Sequence, residues 1–576
     1  MSILLVTTAL KSTWKDNKNV LFLGEWCKSY NDKELLNNIN HNTVEYHWKD
    51  REKFRNDNEY LKGLDEKLIV TIAKALNDYH NVDYSTRYWS VVIGPWLSIF
   101  IPAIWDRWES IRAAYSKYKF DDVCVLDSTN YKFSMRDYNE SMLSLQDHNW
   151  NYATFSQIIN FQYPEECKMS NREVQPRARK TKGYKRRKSI SCLFDKFFSL
   201  FQRNYKVVFV KSYLNPWSLT KISFRLGQFP RKFCEFDDFS LHEKVLVRGR
   251  NLTLDMDYEN DFEFFLSSNL FKHIPYNYLE GFEGLHRKAD ELKFRGDIVF
   301  TANAHFSNDF FKVWCAKQIE IKKSKFFISA HGGGIPSSIS AFSDYELKVS
   351  DRKIVWHKPF EKKHVMLSPN KYVGSFKLKR MRRSNITIVS LDAGKYSNGR
   401  QSGPNSSLML EDYNQKLNFI KNIPCELQQY TKIFPYPVSP WNFQQRFSDV
   451  FGKKIISNSK SFDEAIYGSR IIVCTYPQTT FSEAMMSGIP TILLYTKKYW
   501  ELAPEFDGLL SQLEEAKIVF SDPVLAANHI SRIWDEPHNW WEGRVAAEAR
   551  QEFASSCSNV KTNWASEWSL LFDKNI

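Results

Sequence analysis

The chain has 576 residues and a mass of 68.0 kDa, with 43% apolar and 25% charged residues. That is globular composition; it excludes a mainly disordered chain, a collagen and a disulfide-stapled miniprotein. Lys and Arg number 80 against 66 Asp and Glu, a net charge of +14, and the excess is local enough to argue against a uniformly nucleic-acid-like surface.

The opening stretch MSILLVTTAL has no basic residues ahead of its apolar run. It reads as a first buried strand, not a signal peptide. NVLFLGEW (19–26) is the next strand, and LKGLDEKLIVTIAKALNDYH (61–80) has the apolar spacing of an amphipathic helix. The longest apolar run, VVIGPWLSIFIPAIW, covers residues 91–105. It holds one Gly and two Pro and falls short of the roughly 20 residues that span a bilayer. DDVCVLD (121–127) is a strand.

Residues 150–290 are weakly patterned and contain a basic stretch, 172–188, with nine basic residues and the single acid Glu173. That stretch supplies +8 of the +14. In the next segment, 190–203, Ile190, Leu193, Phe194, Phe197, Phe198 and Phe201 recur at helical spacing. Together, 172–203 reads as a surface anchor on an anionic membrane. Nucleic-acid contact and a solvated loop beside a core helix are the rival readings.

GDIVFT (296–301), DFFKVWCAKQIEIKKS and KFFISA (325–330) form a strand–helix–strand unit. From NITIVSLD (385–392) onward, short continuous apolar strands alternate with helices: YTKIFPYP, KKIIS, RIIVCTY, IPTILLY and AKIVFS are the later strands. Such alternation predicts a parallel sheet covered on both faces. The expected class is α/β with two Rossmann-like lobes. The first spans 1–380 with an insertion at about 150–290, the second 385–535. A helical tail, 536–576, carries Trp540, Trp541, Trp564 and Trp568 and is expected to pack back on the body. The nine cysteines show no metal-ligand spacing, which predicts free thiols in a reducing cytoplasm and no structural zinc.

Four segments carry candidate chemistry. In FFISAHGGG (326–334) a strand ends and His331, Gly332, Gly333 and Gly334 follow. Such a turn can aim several N–H groups at a phosphate or let a sugar approach the backbone, with His331 as donor or base. In TYPQTTFSEAMMSGIP (475–490), Gln478, Thr479 and Thr480 link a strand to a helix. Thr480 and Glu483 have capping-box spacing, and the helix N-terminus attracts phosphate. Lys432, on a strand leading into a Pro-rich loop with Trp441 and Arg446, is placed to neutralise a phosphate. Glu25, in FLGEWC, is a candidate base; the bland alternative is a carboxylate paired with Arg87 or Arg107. His47 with Asp50 is a further candidate base, while Asp351 reads as a turn brace.

Taken together, these motifs resemble a family of transferases from bacterial O-antigen and other surface-carbohydrate loci. The resemblance covers nearly the whole chain: FLGEWC, YHWKDRE (46–52), RYW with GPWL (87–97), AHGGG, DYELKVSDRKIVW (344–356), IFPYP with its Trp and Arg, QTTFSEAMMSGIPTILLY and the WW tail (540–553). Ala330 stands where the pattern has Gln, Lys432 where it has Arg, and His357-Lys358 where it has Gly-Trp. The resemblance implies a GT-B-type glycosyltransferase. Its C-terminal lobe would bind a nucleotide-sugar through Gln478, Thr479, Thr480, Glu483 and Lys432. The glycines and His331 would contact substrate at the cleft, and Glu25 would serve as acceptor base. A glycan or lipid-linked glycan would be the acceptor. No metal or cofactor is required, and the place of action would be the cytoplasm, at the inner face of the membrane. Transfer of an acidic sugar from a CMP donor, and a non-catalytic scaffold of polysaccharide assembly, are the alternatives. No nucleic-acid partner is expected.

Overall fold

The structure, a computed structural model, describes residues 2–14, 17–127, 131–166, 168–170, 202–236, 250, 252–372 and 384–576. The basic stretch 172–188 and nearly all of 190–203 lie outside the described residues. Among those described, the strands form three parallel sheets of five. The first contains β1 (Leu4–Val6), β2 (Asn19–Phe22), β3 (Asn40–Thr43), β4 (Asp122–Leu126) and β5 (Lys168–Ser170), in the order β3-β2-β1-β4-β5. The second contains β6 (Asn204–Val210), β7 (Arg295–Thr301), β8 (Lys325–Ser329), β9 (Arg352–Val355) and β10 (His364–Met366), laid down in simple succession. The third contains β11 (Asn385–Val389), β12 (Thr431–Phe434), β13 (Ser469–Cys474), β14 (Thr491–Leu494) and β15 (Val519–Phe520), in the order β12-β11-β13-β14-β15. The central strands are continuous apolar runs because helices cover both faces of each sheet.

Two long helices lie between β3 and β4 of the first sheet: α1 (Arg51–His80) and α2 (Thr86–Lys117). Asp50 caps α1 by accepting from the amides of Glu52 and Lys53. Helix α2 packs against α1, against the helix Asp309–Lys322 and against the helix Ala341–Val349, so it is shared between layers. The 91–105 run is therefore part of a 32-residue helix that continues through Pro95 and Pro102. By length and composition α2 could cross a membrane, yet 94% of its most apolar window is buried inside the protein. Trp89 and Trp96 are among its fully buried side chains. Each large apolar side chain so buried contributes about 1.5–3 kcal/mol, which explains why this helix tolerates two internal prolines.

Two differences from the sequence expectation stand out. Residues 1–380 hold two five-stranded sheets, where a single Rossmann-like lobe implies one. β6 arises from KVVFV inside the 150–290 interval, so that interval is not simply an insertion. β3, with the sequence NHNT, has no apolar residue and leaves no hydropathy signal.

The α/β class with parallel sheets and a helical C-terminal end holds. Helix α3 (Pro216–Arg225) follows β6 on the second sheet. Helix α4 (Thr479–Met486) follows β13. In the tail, α5 (Arg544–Cys557) packs on α4, and α6 (Trp564–Asp573) returns to the second sheet beside α3. There Trp568 and Phe572 meet Phe300 edge-on, and Trp568 Nε1 donates to the carbonyl of Ser368.

Candidate functional site

In the third sheet the chain starts at β11, steps to β12 on one side, then returns to β13 on the other. The order reverses between β11 and β13, and ligands of open α/β sheets bind beyond the carboxyl ends at such a point. β11 leads into Ser390–Asp392, and β13 into Thr475–Gln478. Thr475 Oγ1 donates to the Val389 carbonyl at 2.8 Å and ties the two ends together.

The glycine loop of the second sheet docks on this point. Ala330 N donates to Ile354 O at 2.8 Å, and Ile335 N donates to Pro477 O at 2.9 Å, so both shoulders of the loop are fixed. Between them, a Cβ on Gly332 would lie 2.0 Å from Thr479 Oγ1, one on Gly333 2.2 Å from the Trp356 ring, and one on Gly334 2.4 Å from Pro477 O. Gly334 also has φ +127°, a conformation open essentially to glycine alone. Gly334 is therefore required for backbone-to-backbone approach of two loops about 145 residues apart, while Gly332 and Gly333 leave room for the Thr479 side chain and the Trp356 ring. Among the described residues, the amides of Gly332, Gly333 and Gly334 make no backbone hydrogen bond.

The facing helix α4 starts at Thr479, with Gln478 as N-cap and no side-chain cap. The capping box expected from Thr480 and Glu483 does not form. The helix begins two residues too early for it, and the buried Glu483 carboxylate instead takes the Lys371 ammonium at 2.5 Å. Thr480 Oγ1 is turned inward, shielded from solvent. What faces the crevice is a helix N-terminus whose first amides lack a side-chain acceptor, the natural partner of an anion.

His331 is exposed at the mouth. Its ring centroid lies 6.4 Å from that of Tyr213, whose hydroxyl accepts from Asn303 Nδ2 at 3.0 Å. Tyr213, Asn303 and His331 follow three neighbouring strands, β6, β7 and β8, so they line one rim. Beneath them lies a buried polar chain. His305 Nε2 is 3.0 Å from Glu346 Oε1, Lys353 Nζ is 2.9 Å from Glu346 Oε2, and Lys353 Nζ also donates to Ser343 Oγ at 2.6 Å. Burial pushes the Glu346 carboxyl up, but Lys353 and His305 outweigh it and hold it at about 2. Burial lowers the His305 imidazole, with Glu346 opposing. Sequence reading missed Tyr213, Asn303 and this chain. ANAH after GDIVFT was the signal for two of them: a second His-bearing turn at a strand end.

Glu25 lies elsewhere. It follows β2 of the first sheet, its amide donates to Ser407 Oγ at 3.1 Å, and its carboxylate pairs with Lys28 at 2.9 Å. Neither arginine weighed as its partner holds it: Arg87 pairs with Asp351, and Arg107 is buried against Asp106 and Asn151. Asp351 also accepts from the Phe326 amide at 2.7 Å, bracing its turn. Glu25 belongs to the seam between the first and third sheets, with Lys395 donating to the Lys28 carbonyl and Arg446 stacked 4.2 Å over Tyr30. In that seam burial raises Asp392 to about 6, against the hydrogen bond from Ser439. His47 is buried 3.3 Å from Asp106, and Asp50 is occupied as a cap, so neither is a free base.

Lys432 is also displaced from the crevice. It is the second residue of edge strand β12, and its Nζ donates to Lys454 O at 2.8 Å. It lines a cavity of about 520 Å³ with Asn385, Lys453, Lys454, residues 456–459 and Glu464. Asn385 is the first residue of β11, so this cavity sits at the amino end of the sheet, opposite the crevice. Lys432→Ala is accordingly expected to leave any nucleotide-induced rise in melting temperature unchanged, as a thermal-shift titration would check. Among the described residues, no group of three His, Cys, Asp or Glu side chains is placed to hold a metal ion.

Three parallel sheets, with two strand-end loops interlocked over a switch point, define an α/β protein. Residues 3–572 match the LIC12162 family of transferases, and the chain belongs to that family. No curated protein matches the sequence. Among solved structures, similarity is found to MurG of Acinetobacter baumannii, with 12% identity and a TM-score of 0.31 over 65% of this chain and 100% of that one. HepE of Anabaena, solved with UDP and glucose, gives 9% identity and 0.34 over 65% of this chain and 100% of that one. WaaG, a glycosyltransferase involved in lipopolysaccharide biosynthesis, gives 10% and 0.29 over 64% and 99%.

Proposed function

We propose that this transferase is a GT-B-type glycosyltransferase that moves a sugar from a nucleotide-sugar donor to a lipid-linked or growing glycan of the bacterial surface, of O-antigen or capsule type. The observation that carries the reading is the pairing of the uncapped N-terminus of α4 with the glycine loop over the β11/β13 switch point. Fixed N–H groups of Gln478, Thr479, Thr480 and the glycine loop would hold the donor diphosphate. They would also stabilise the charge that builds on it as the sugar leaves. His331, exposed on the rim beside Tyr213, is the group this reading assigns to proton transfer or to contact with the reacting sugar. The ion-paired Glu25 has no part in that step. The reading calls for no resident metal or cofactor and places the enzyme in the cytoplasm, at the inner face of the membrane, with 172–203 as a basic contact to it.

The test is a thermal-shift panel of uridine, guanosine, cytidine and thymidine nucleotides and their sugars, run on the wild type and on Gln478→Asp. A ligand that binds the folded state raises its melting temperature. The wild type is expected to respond to one base selectively. An Asp at the N-cap supplies the missing acceptor, adds about 1 kcal/mol of stability and occupies the amides with a negative charge. Gln478→Asp should therefore melt higher without ligand and lose the nucleotide response, two effects of opposite sign. A selective response to cytidine compounds would favour an acidic-sugar donor. A wild type silent to every compound would shift weight to the scaffold reading.

A further inference from the structure

Helix α3 presents an aromatic and basic face to solvent. Its inner face, with Ser218, Ile222 and Ser223 buried, packs on the second sheet and on α6. Its outer face carries Trp217, 70% exposed, and Phe224, 64% exposed, seven residues apart and so on one side of the helix. Lys221 and Arg225 flank them on the same side. Neither pairs with an acid among the described residues; Lys221 lies 5.3 Å over the ring of Trp564.

The charge of the surrounding segment has one sign. Residues 203–232 contain seven Lys and Arg and no Asp or Glu. Lys206 pairs with Asp573 and Arg231 with Glu235, both acids from outside the segment, which leaves the cations of α3 uncompensated. The face is also continuous with the candidate site, since Tyr213, three residues before α3, stands beside His331 on the crevice rim.

We infer that the outer face of α3 docks on an anionic lipid surface, with Trp217 and Phe224 entering the interfacial layer and Lys221 and Arg225 reaching the headgroups. Trp is the side chain best suited to that layer, with an apolar body and one polar edge. Long cationic side chains bury their stems while keeping their charge at headgroup level. The all-basic segment selects a negatively charged layer over a neutral one. Docking in this pose would turn the crevice rim toward the membrane. The inference goes beyond the glycosyl-transfer reading and does not require it, because binding is measured without donor or acceptor.

The test is flotation of the full chain with vesicles of phosphatidylcholine alone or mixed with phosphatidylglycerol. The wild type is expected to float with the mixed vesicles and not with the neutral ones. The double variant Trp217→Ser with Phe224→Ser should bind the mixed vesicles about tenfold more weakly or worse. Lys221→Glu with Arg225→Glu should bind them more weakly as well. Both should keep the wild-type melting temperature, because the altered groups lie in solvent. A wild type that floats with neither vesicle overturns the inference. So does an apolar double variant that binds like the wild type, whatever the charge variant does, since docking then runs through another surface such as 172–203.

Discussion

Gly334→Ala is expected to abolish nucleotide-dependent stabilisation and to lower the melting temperature of the free protein by several degrees. Two independent costs meet at this residue. Its φ of +127° lies where a side chain is strained, at about 1–3 kcal/mol. Its new Cβ would also stand 2.4 Å from Pro477 O and 2.5 Å from Gln478 Cα. Those neighbours are backbone and cannot rotate away. Relief requires the glycine loop to lift from the β13 loop, which weakens the hydrogen bond from Ile335 N to Pro477 O and separates the two sets of amides.

Gly399→Ala is the matching control, because a Cβ there meets nothing within 4 Å and its φ is not positive. It should change the melting temperature little and leave the nucleotide response intact. A Gly334→Ala protein that responds to nucleotide as the wild type does would show that the interlocked loops are not the donor site. Loss of the response without any loss of stability would mean that the loop carries less strain than its geometry implies.

The two loops were each legible in the sequence, because a triple glycine after a strand and a Thr-rich strand-to-helix turn are local signals. Their contact was not, since it joins Gly332 to Thr479 across two sheets. Most of the third sheet was readable because NITIV, RIIVC and TILL are continuous apolar runs, but KKIIS, expected as a further strand, opens with a 3-10 helix at Lys453–Ile455 and adds no strand to the sheet. The first sheet was readable only in part: β1, β2 and β4 follow apolar runs expected as strands, but β3 has no apolar residue. That gap explains the placement of Glu25. With a single N-terminal lobe in view, every strand end before residue 380 seemed to face one cleft, whereas Glu25 and His331 belong to different sheets. Lys432 was misread for a simpler reason. A Pro-rich loop follows it closely, but two more residues of strand separate them and turn its side chain to the other end of the sheet. At Thr480 the helix starts two residues earlier than the T-x-x-E spacing implies, with Gln478 as N-cap, and Glu483 pairs with Lys371 instead of closing a capping box.

Glu346→Gln is expected to cost about 3–5 kcal/mol at neutral pH, the usual result of removing one partner from a buried ion pair. Lys353 would remain buried with Ser343 Oγ as its remaining polar contact, and His305 would lose its charged acceptor. The wild-type carboxyl takes its proton near pH 2 when folded and near 4.5 when unfolded. Its stabilisation is thus fully present above about pH 4.5 and drains away as the pH falls toward 2. His305 acts in the same direction. Burial lowers its pKa in the folded state against the opposing pull of Glu346, so the unfolded imidazole, ordinarily near 6.5, takes a proton more readily than the folded one. Wild-type stability should therefore fall steadily on acidification from pH 6.5. Glu346→Gln should start lower at pH 7 and lose less between pH 4.5 and 2. Adding Lys353→Met removes the stranded charge and should recover much of the loss, because an apolar pair can replace a buried ionic one at little cost. Melting curves of the three proteins from pH 2 to 8 decide the matter. A single variant as stable as the wild type at pH 7, or a double variant no better than the single, would show that the chain beneath the crevice rim is not held by this charge pair.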